Sequence, residues 1–69
     1  MIANFRSGLL IMAALIQSKD GLTITQLQHM TGLTRLTLGK QIIILEDNGS
    51  IVTRRYGQHR LCLIPGKHF

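Results

Sequence analysis

The sequence predicts an α+β fold in which three helices lead into a two-stranded hairpin, and three observations indicate it. Leu38, Ile42 and Leu45 recur at i, i+4 and i+7, the spacing of one apolar face of a helix. Residues 50–55 instead alternate from one side to the other, as in a strand with one buried face. Gly32 follows the preceding short helix and provides the positive φ of a tight corner. Together these patterns predict a helix-turn-helix that continues into a β-hairpin.

The first helix is predicted over residues 5–18, with Ser7 or Asn4 as a plausible N-cap and a stop at residues 19–21. It contains the uninterrupted apolar run GLLIMAALI, residues 8–16, which follows a basic residue. The run is nine residues long, well short of the roughly 20 needed to cross a bilayer. No small-residue cleavage site follows it, which argues against a signal peptide. We therefore expect a helix of the folded domain and no membrane association.

The remaining elements are predicted from their ends. Thr25 and Thr34 offer hydroxyl groups that can cap the second and third helices, and Asn48-Gly49 offers a left-handed stop for the third. The expected bounds are a strand stub over residues 22–24, helices over 26–31 and 35–47, and a hairpin over 50–64 with a four-residue turn at 56–59. One domain is expected to occupy residues 1–69.

The size and composition of the chain favour a homodimer. At 69 residues a single core gives marginal stability, and small chains compensate with disulfides, metals or oligomerisation. Cys62 is the only cysteine, and His29, His59 and His68 lack the spacing of a structural zinc site. We expect no metal and no other cofactor. Hydrophobic residues make up 45% of the chain with only two Phe, one Tyr and no Trp, more aliphatic surface than one small core absorbs.

The first helix is the expected site of pairing because it is apolar almost all round. One side, with Phe5, Leu9, Met12 and Ile16, is predicted to face the core. The predicted dimer interface is made by the other apolar side chains, Leu10, Ile11, Ala14 and Leu15. The alternative is that the N-terminal segment and the tail, residues 65–69, wrap over this helix.

The charge of the chain points to a polyanionic partner. Eight Lys and Arg against three Asp and Glu give a net charge of +5. Five of the eight basic residues fall on the third helix and the hairpin, whereas the acidic residues Asp20, Glu46 and Asp47 cluster at turns and a helix end. This sorting is expected of an electrostatic footprint for nucleic acid. The alternative is a charged surface that only keeps the protein soluble.

Catalytic chemistry has little support in the sequence. Glu46 and Asp47 are adjacent at a helix end, where two carboxylates are expected to be solvated. No serine has a His and Asp partner in a recognisable motif, and no Gly-rich phosphate loop of the GxxxxGK type is present. Nothing near Cys62 in sequence would activate its thiol, so a core position is the preferred interpretation. We predict that the protein is not an enzyme.

The order of the predicted elements resembles the winged helix, and residues 27–55 look like the MarR and PadR types of bacterial DNA-binding regulator and the short regulators of pilus operons. The matching residues are Leu27, Gly32, Leu33, Thr34, Leu38, Leu45, Gly49 and Ile51. The resemblance covers most of residues 10–64. This chain lacks the long flanking helices by which MarR and PadR proteins dimerise and bind small effectors, so no small-molecule effector is expected.

The resemblance implies a sequence-specific regulator that binds double-stranded DNA as a homodimer in a prokaryotic, phage or plasmid setting, in the cytoplasm. The third helix would enter the major groove and the hairpin would lie on the backbone or in the minor groove. The residues implied to contact DNA are Thr34, Arg35, Thr37, Lys40 and Gln41 on the helix, and Arg54, Arg55, Gln58, His59 and Arg60 on the hairpin. The alternative is a winged-helix module that binds another protein or acts as an accessory replication or recombination factor.

Overall fold

The structure, a computed structural model, describes the backbone of residues 2–68 and the side chains of residues 6–68. Its elements are α1 (Ile2–Gln17), β1 (Leu22–Thr23), α2 (Ile24–Thr31), α3 (Arg35–Asp47), β2 (Val52–Tyr56) and β3 (His59–Leu63). The three strands form one antiparallel sheet in the order β1-β3-β2. The predicted α+β class, with three helices, a strand stub and a two-stranded hairpin in the order of a winged helix, is confirmed.

The core lies where the three helices meet the sheet. The side chains with the least exposure come from every layer: Ile11, Leu15, Leu27, Leu38, Ile51 and Cys62. The predicted stripe of α3 is confirmed, because Leu38, Ile42 and Leu45 are all buried. A regular i, i+4, i+7 spacing therefore identified the inner face of α3 without tertiary information.

The N-cap of α2 is Thr23, and the prediction that Thr25 caps this helix was wrong. The Thr23 hydroxyl accepts a hydrogen bond from the Gln26 amide at 3.2 Å, and the Gln26 side chain accepts one from the Thr23 amide at 2.9 Å. This reciprocal pair is a capping box, which satisfies two amide groups at once. Thr25 lies exposed in the first turn of α2, which has already begun at Ile24, so it is too late in the chain to be the cap. The helix therefore starts two residues earlier than predicted.

The corner between α2 and α3 is formed as predicted. Gly32 has φ 73° and its amide donates to the Gln28 carbonyl at 3.0 Å, which closes α2 with a left-handed residue. Thr34 then caps α3 by accepting a hydrogen bond from the Thr37 amide at 3.2 Å. The predicted stop at Asn48-Gly49 is confirmed: α3 ends at Asp47, Asn48 is the C-cap with φ −90°, and Gly49 is the left-handed residue, with φ 80°.

The orientation of α1 is the main correction. Ile11, Ala14 and Leu15 are 0%, 7% and 0% exposed, so these three side chains belong to the core and not to a dimer interface. Leu9 and Ile16, which were predicted to be buried, are 55% and 58% exposed. When two sides of a helix are both apolar, hydrophobicity does not determine which side faces the core. The fit of the side chains against the neighbouring elements determines it.

Of the four residues predicted to pair, only Leu10 is exposed, at 41%. The proposed N-caps were also wrong, because α1 begins at Ile2 and Ser7 is buried within it. The side chain of Phe5 lies outside the described residues. The tail reaches the end of α1, where His68 Nε2 lies 3.3 Å from Ser18 Oγ, but it leaves Leu9 and Ile16 uncovered.

The hairpin is tighter than predicted. Tyr56 pairs with His59, so only Gly57 and Gln58 form the turn, in place of the expected four residues. Gly57 has φ 59°, and a positive φ at the first central residue alone is the pattern of a type II′ turn. The pairing extends the hairpin to its tip and thereby fixes which side chains share a face.

Within residues 2–68, no helix combines the length and apolar character that spanning a membrane would require.

Candidate nucleic-acid interface

The outward face of α3 mixes basic and apolar side chains. Arg35 and Lys40 are exposed there, as predicted. Leu36 and Ile43 are also on this face and are 71% and 61% exposed. With exposures this large, these two residues pack neither on the hairpin nor on the core. The face therefore presents cations together with large aliphatic groups.

Gln41 does not belong to this face, and its assignment as a DNA contact was wrong. The side chain is only 5% exposed, and it occupies the buried side of α3 together with Leu38, Ile42 and Leu45. Positions 38, 41, 42 and 45 follow the i, i+3, i+4, i+7 pattern of one helical face. A Cβ atom at Gly8 would lie 3.5 Å from Gln41 Oε1, so the glutamine packs against α1.

Thr34 and Thr37 organise the first turn of α3. Besides the capping bond, the Thr34 hydroxyl donates to the Thr37 hydroxyl at 3.0 Å. Thr34 is exposed and Thr37 is half-buried. Their hydroxyl groups hold the amino end of α3 in place beside Arg35, a role that the sequence predicted only for Thr34.

The hairpin places two arginines directly opposite each other. Arg55 of β2 is the cross-strand partner of Arg60 of β3, and both side chains are exposed. They lie on the same face of the sheet as Thr53 and Cys62, which are two pairs along the ladder. Directly opposed like charges destabilise an antiparallel pair. This stretch of the hairpin therefore concentrates positive charge at a cost to its own stability.

The face that carries Arg55 and Arg60 is turned toward α3. The Thr53 hydroxyl donates to Glu46 Oε2 of α3 at 2.8 Å, and an Arg60 guanidinium nitrogen approaches the same hydroxyl oxygen at 3.4 Å. Because the carboxylate is engaged by Thr53, it is held at the base of the hairpin. The arginine pair lies farther toward the tip.

The tip of the hairpin meets the amino ends of α2 and α3. A small cleft of about 110 Å³ is lined by Arg35, Gln58, His59 and Arg60, together with Thr23, Ile24 and Thr25. Arg35 and the hairpin residues 58–60 were all predicted to contact DNA. They lie more than twenty positions apart in the sequence and line the same cleft. We call Arg35, Lys40, Arg55 and Arg60 the basic face.

Arg54 lies on the opposite side of the sheet. It pairs with Leu61, so its side chain points away from the face of Arg55 and Arg60. A broader cleft on that side is lined by Arg54, Lys19, Lys67 and Asp20, with Tyr56 and His68 also at its edge. Alternation along a strand already separates residues 54 and 55, so this division was foreseeable. The sequence carried no signal that Lys19 and Lys67 would join Arg54, because they lie in turns at distant positions.

The tail is joined to this cleft by His68. The Ile64 amide donates to His68 Nδ1 at 2.7 Å, and Nε2 faces the Ser18 hydroxyl and carbonyl oxygens at 3.3 and 3.4 Å. Nδ1 acts as the acceptor in this arrangement. The histidine fastens the end of the chain to the end of α1.

A second surface, apolar in character, runs between α1 and α3. This groove of about 340 Å³ is lined by Gly8, Leu9, Met12, Gln41, Ile44, Leu45 and Asn48. None of these described lining residues is charged. Ile44 is 51% exposed and lies in this groove with Leu9, which is 55% exposed, and Met12, which is half-buried. We call this surface the apolar groove.

Cys62 is a core residue. Its side chain is fully buried, and burial raises the pKa of its thiol from 9.0 to about 11, with a smaller lowering by Arg60 and a raising by Glu46. The thiol is therefore protonated at neutral pH and is a poor nucleophile. Across the part of the chain with described side chains, no three His, Cys, Asp or Glu residues are grouped closely enough to hold a metal ion.

Comparison with known proteins does not add a family to this geometry. No family model, curated protein or solved structure matches the chain. The resemblance to winged-helix regulators stays a prediction.

Proposed function

We propose that this protein is a sequence-specific transcriptional regulator that binds double-stranded DNA as a homodimer, with α3 in the major groove and the β2–β3 hairpin on the backbone or in the minor groove. The observation that carries the proposal is the opposed pair Arg55 and Arg60 beside Arg35. A pair of like charges that weakens the hairpin becomes favourable when a polyanion lies against it. Phosphate oxygens of DNA supply closely spaced negative charge of this kind.

The four cations of the basic face predict the salt dependence of binding. Two chains contribute about six to eight neutralised phosphates, so log affinity is expected to fall with log salt at a slope of about −5 to −7. Arg55→Gln should make the slope shallower by about 2 per dimer, because each subunit loses one phosphate contact. Lys67→Gln removes the same charge from the other side of the sheet and is the matched control. A flat salt dependence, or equal effects of the two variants, would contradict the proposal.

Dimerisation is proposed to occur through the apolar groove. A chain of net charge +5 repels its own copy, and a surface without charged lining is where two copies can approach. The groove lies on the flank of α3 away from the hairpin, so a two-fold pair would place the two α3 helices near the centre and the hairpins outside. Such a pair implies an inverted-repeat site with half-sites about 34 Å apart.

The dimer is tested by sedimentation with two substitutions on different sides of α1. Leu9→Lys places a charge in the apolar groove and should give a monomer that has lost specific DNA affinity. Leu10→Lys adds the same charge on the other flank of the helix and should leave the dimer intact. A wild-type mass of one chain, or dissociation caused only by Leu10→Lys, would show that this groove is not the pairing surface.

A second candidate function is supported by the exposure of Leu36 and Ile43, 71% and 61%. Large apolar side chains on an outward helix face are typical of surfaces that bind another protein. Under this alternative, duplex DNA binding would be weak and would not change when Arg55 is substituted.

The DNA-binding proposal places the protein in the cytoplasm of a prokaryote, or assigns it to a phage or plasmid. It includes no small-molecule effector.

A further inference from the structure

No contact inside the protein explains why residue 39, in α3, is a glycine. It lies in the middle of α3 and is exposed, and a Cβ atom placed there would meet nothing within 4 Å beyond its own helix backbone. Glycine inside a helix lowers stability relative to alanine because it restricts the backbone less in the unfolded chain. No neighbour in the fold requires the missing side chain. A glycine with this cost is accounted for when something outside the molecule approaches the helix backbone closely.

The residues around Gly39 indicate what approaches. Leu36, Lys40 and Ile43 follow the i, i+4, i+7 spacing of one outward stripe, and Gly39 lies beside its centre. The two large aliphatic side chains on this stripe have no cover in the described chain, as their exposures of 71% and 61% show. Arg35 begins the helix beside them. At the centre of the stripe, Gly39 leaves the helix backbone uncovered by a side chain. An aliphatic side chain lies on each side of it, and Lys40 and Arg35 supply positive charge.

This combination fits the major groove of DNA better than an apolar groove of a protein. A protein groove that covered Leu36 and Ile43 would also bury the ammonium group of Lys40, which is costly unless a partner acid is supplied. The major groove is surrounded by phosphates that suit Lys40 and Arg35. Its base edges offer one apolar group, the C5-methyl of thymine.

We infer that Gly39 is the point at which the α3 backbone comes closest to the base edges, and that Leu36 and Ile43 each contact a thymine methyl group. This inference rests on the proposed function and extends it by naming a base, thymine, that the protein prefers at two positions. Seven residues of helix rise about 10.5 Å. A helix in the major groove lies at an angle to the DNA axis, and base pairs stack about 3.4 Å apart along that axis, so the two thymines lie within about three base pairs of each other in each half-site.

The test begins with selection of bound duplexes from a randomised pool, using the full-length chain. Each thymine of the selected site is then replaced by deoxyuridine, which removes only the methyl group. At two positions within about three base pairs of each other, the wild-type protein should lose about three- to fivefold in affinity, the value of one buried methyl. Leu36→Ala should be insensitive to deoxyuridine at one of these positions, and Ile43→Ala at the other. The remaining thymines of the same site are internal controls.

Gly39→Ala separates a binding role from a structural one, because its two effects have opposite signs. The melting temperature should rise by about 2–8 °C, since alanine favours the helix. DNA affinity should nevertheless fall by about tenfold, comparable to one mismatched base pair. A structural role for Gly39 would lower both quantities together.

Three outcomes would overturn the inference. Gly39→Ala could bind the selected duplex as tightly as the wild type, which would exclude a close approach. The deoxyuridine losses could be equal in the wild type, Leu36→Ala and Ile43→Ala, which would exclude methyl contacts. In both cases the proposed function survives if Arg55→Gln still weakens binding and reduces the salt slope. If the wild-type chain binds no duplex in a salt-dependent manner, the proposed function and the inference fail together.

Discussion

Reversing one charge of the Arg55–Arg60 pair should make the protein more stable and a weaker DNA binder. The two residues are directly opposed in the β2–β3 ladder and both are exposed. Cross-strand pairs of opposite charge contribute about 0.2–1 kcal/mol, and like charges are unfavourable. Arg55→Glu replaces a pair of like charges by a pair of opposite charges. We therefore expect the free energy of unfolding to rise by about 1 kcal/mol at low salt, and the melting temperature by about 4–8 °C.

The measurement is thermal and urea denaturation at one fixed protein concentration, because pairing of chains would make stability depend on concentration. Both side chains are exposed, so the gain should nearly vanish at about 1 M salt, where the screening length is about 3 Å. Lys67→Glu makes the same change in net charge on the other side of the sheet. It controls for the general relief of repulsion in a basic protein.

The DNA affinity of Arg55→Glu should fall below that of Arg55→Gln, since a carboxylate repels the phosphate that the guanidinium would contact. A loss of stability in Arg55→Glu at low salt would refute the argument that the opposed arginines repel each other. A gain equal to that of Lys67→Glu would attribute the effect to net charge alone. Increased stability with unchanged DNA affinity would remove the hairpin from the binding surface.

Two further predictions concern the fold. Gly21 has φ 86°, and a Cβ atom there would lie 2.5 Å from Leu63 Cδ2 and 2.6 Å from the Cys62 carbonyl oxygen. Gly21→Ala should therefore cost about 2–4 kcal/mol in urea denaturation, because backbone strain adds to a clash, whereas Gly32→Ala, with φ 73° and open space, should cost only about 1–2 kcal/mol. If the two variants were equally destabilised, the clash at Gly21 would have no energetic weight. Burial raises the pKa of Cys62 to about 11, so its contribution to stability is complete below its ordinary pKa of 9.0 and is lost as the pH rises through 11. Cys62→Ala should remove this part of the alkaline loss of stability, and an unchanged alkaline profile would contradict the assignment.

The third helix and its surroundings were predictable because their signals are local. The spacing of Leu38, Ile42 and Leu45, the cap at Thr34 and the left-handed corner at Gly32 each depend on residues a few positions apart. The opposition of Arg55 and Arg60 also depends on a local signal. A turn centred on Gly57 and Gln58 places residues 55 and 60 opposite each other whether two or four residues form it.

The sequence by itself determined the class of the fold, the order of its elements and the concentration of positive charge on α3 and the hairpin. Periodicity, caps and turn residues act through the nearest neighbours of each residue, so they survive without tertiary information. Only the tertiary structure decided which side of α1 is buried, because Ile11 and Leu15 are as apolar as Leu9 and Ile16. A helix that is apolar on every side has no preferred orientation until its neighbours are packed against it.

The tertiary structure also decided which charged residues act together. Arg35 reaches the hairpin tip because β3 pairs with both β1 and β2, an arrangement that joins segments far apart in the chain. Alternation along β2 sends Arg54 to the opposite side, and the helical face that buries Leu38 also buries Gln41. Composition determines how much charge the protein has. The long-range pairing of the strands and the orientation of the helices determine where that charge lies.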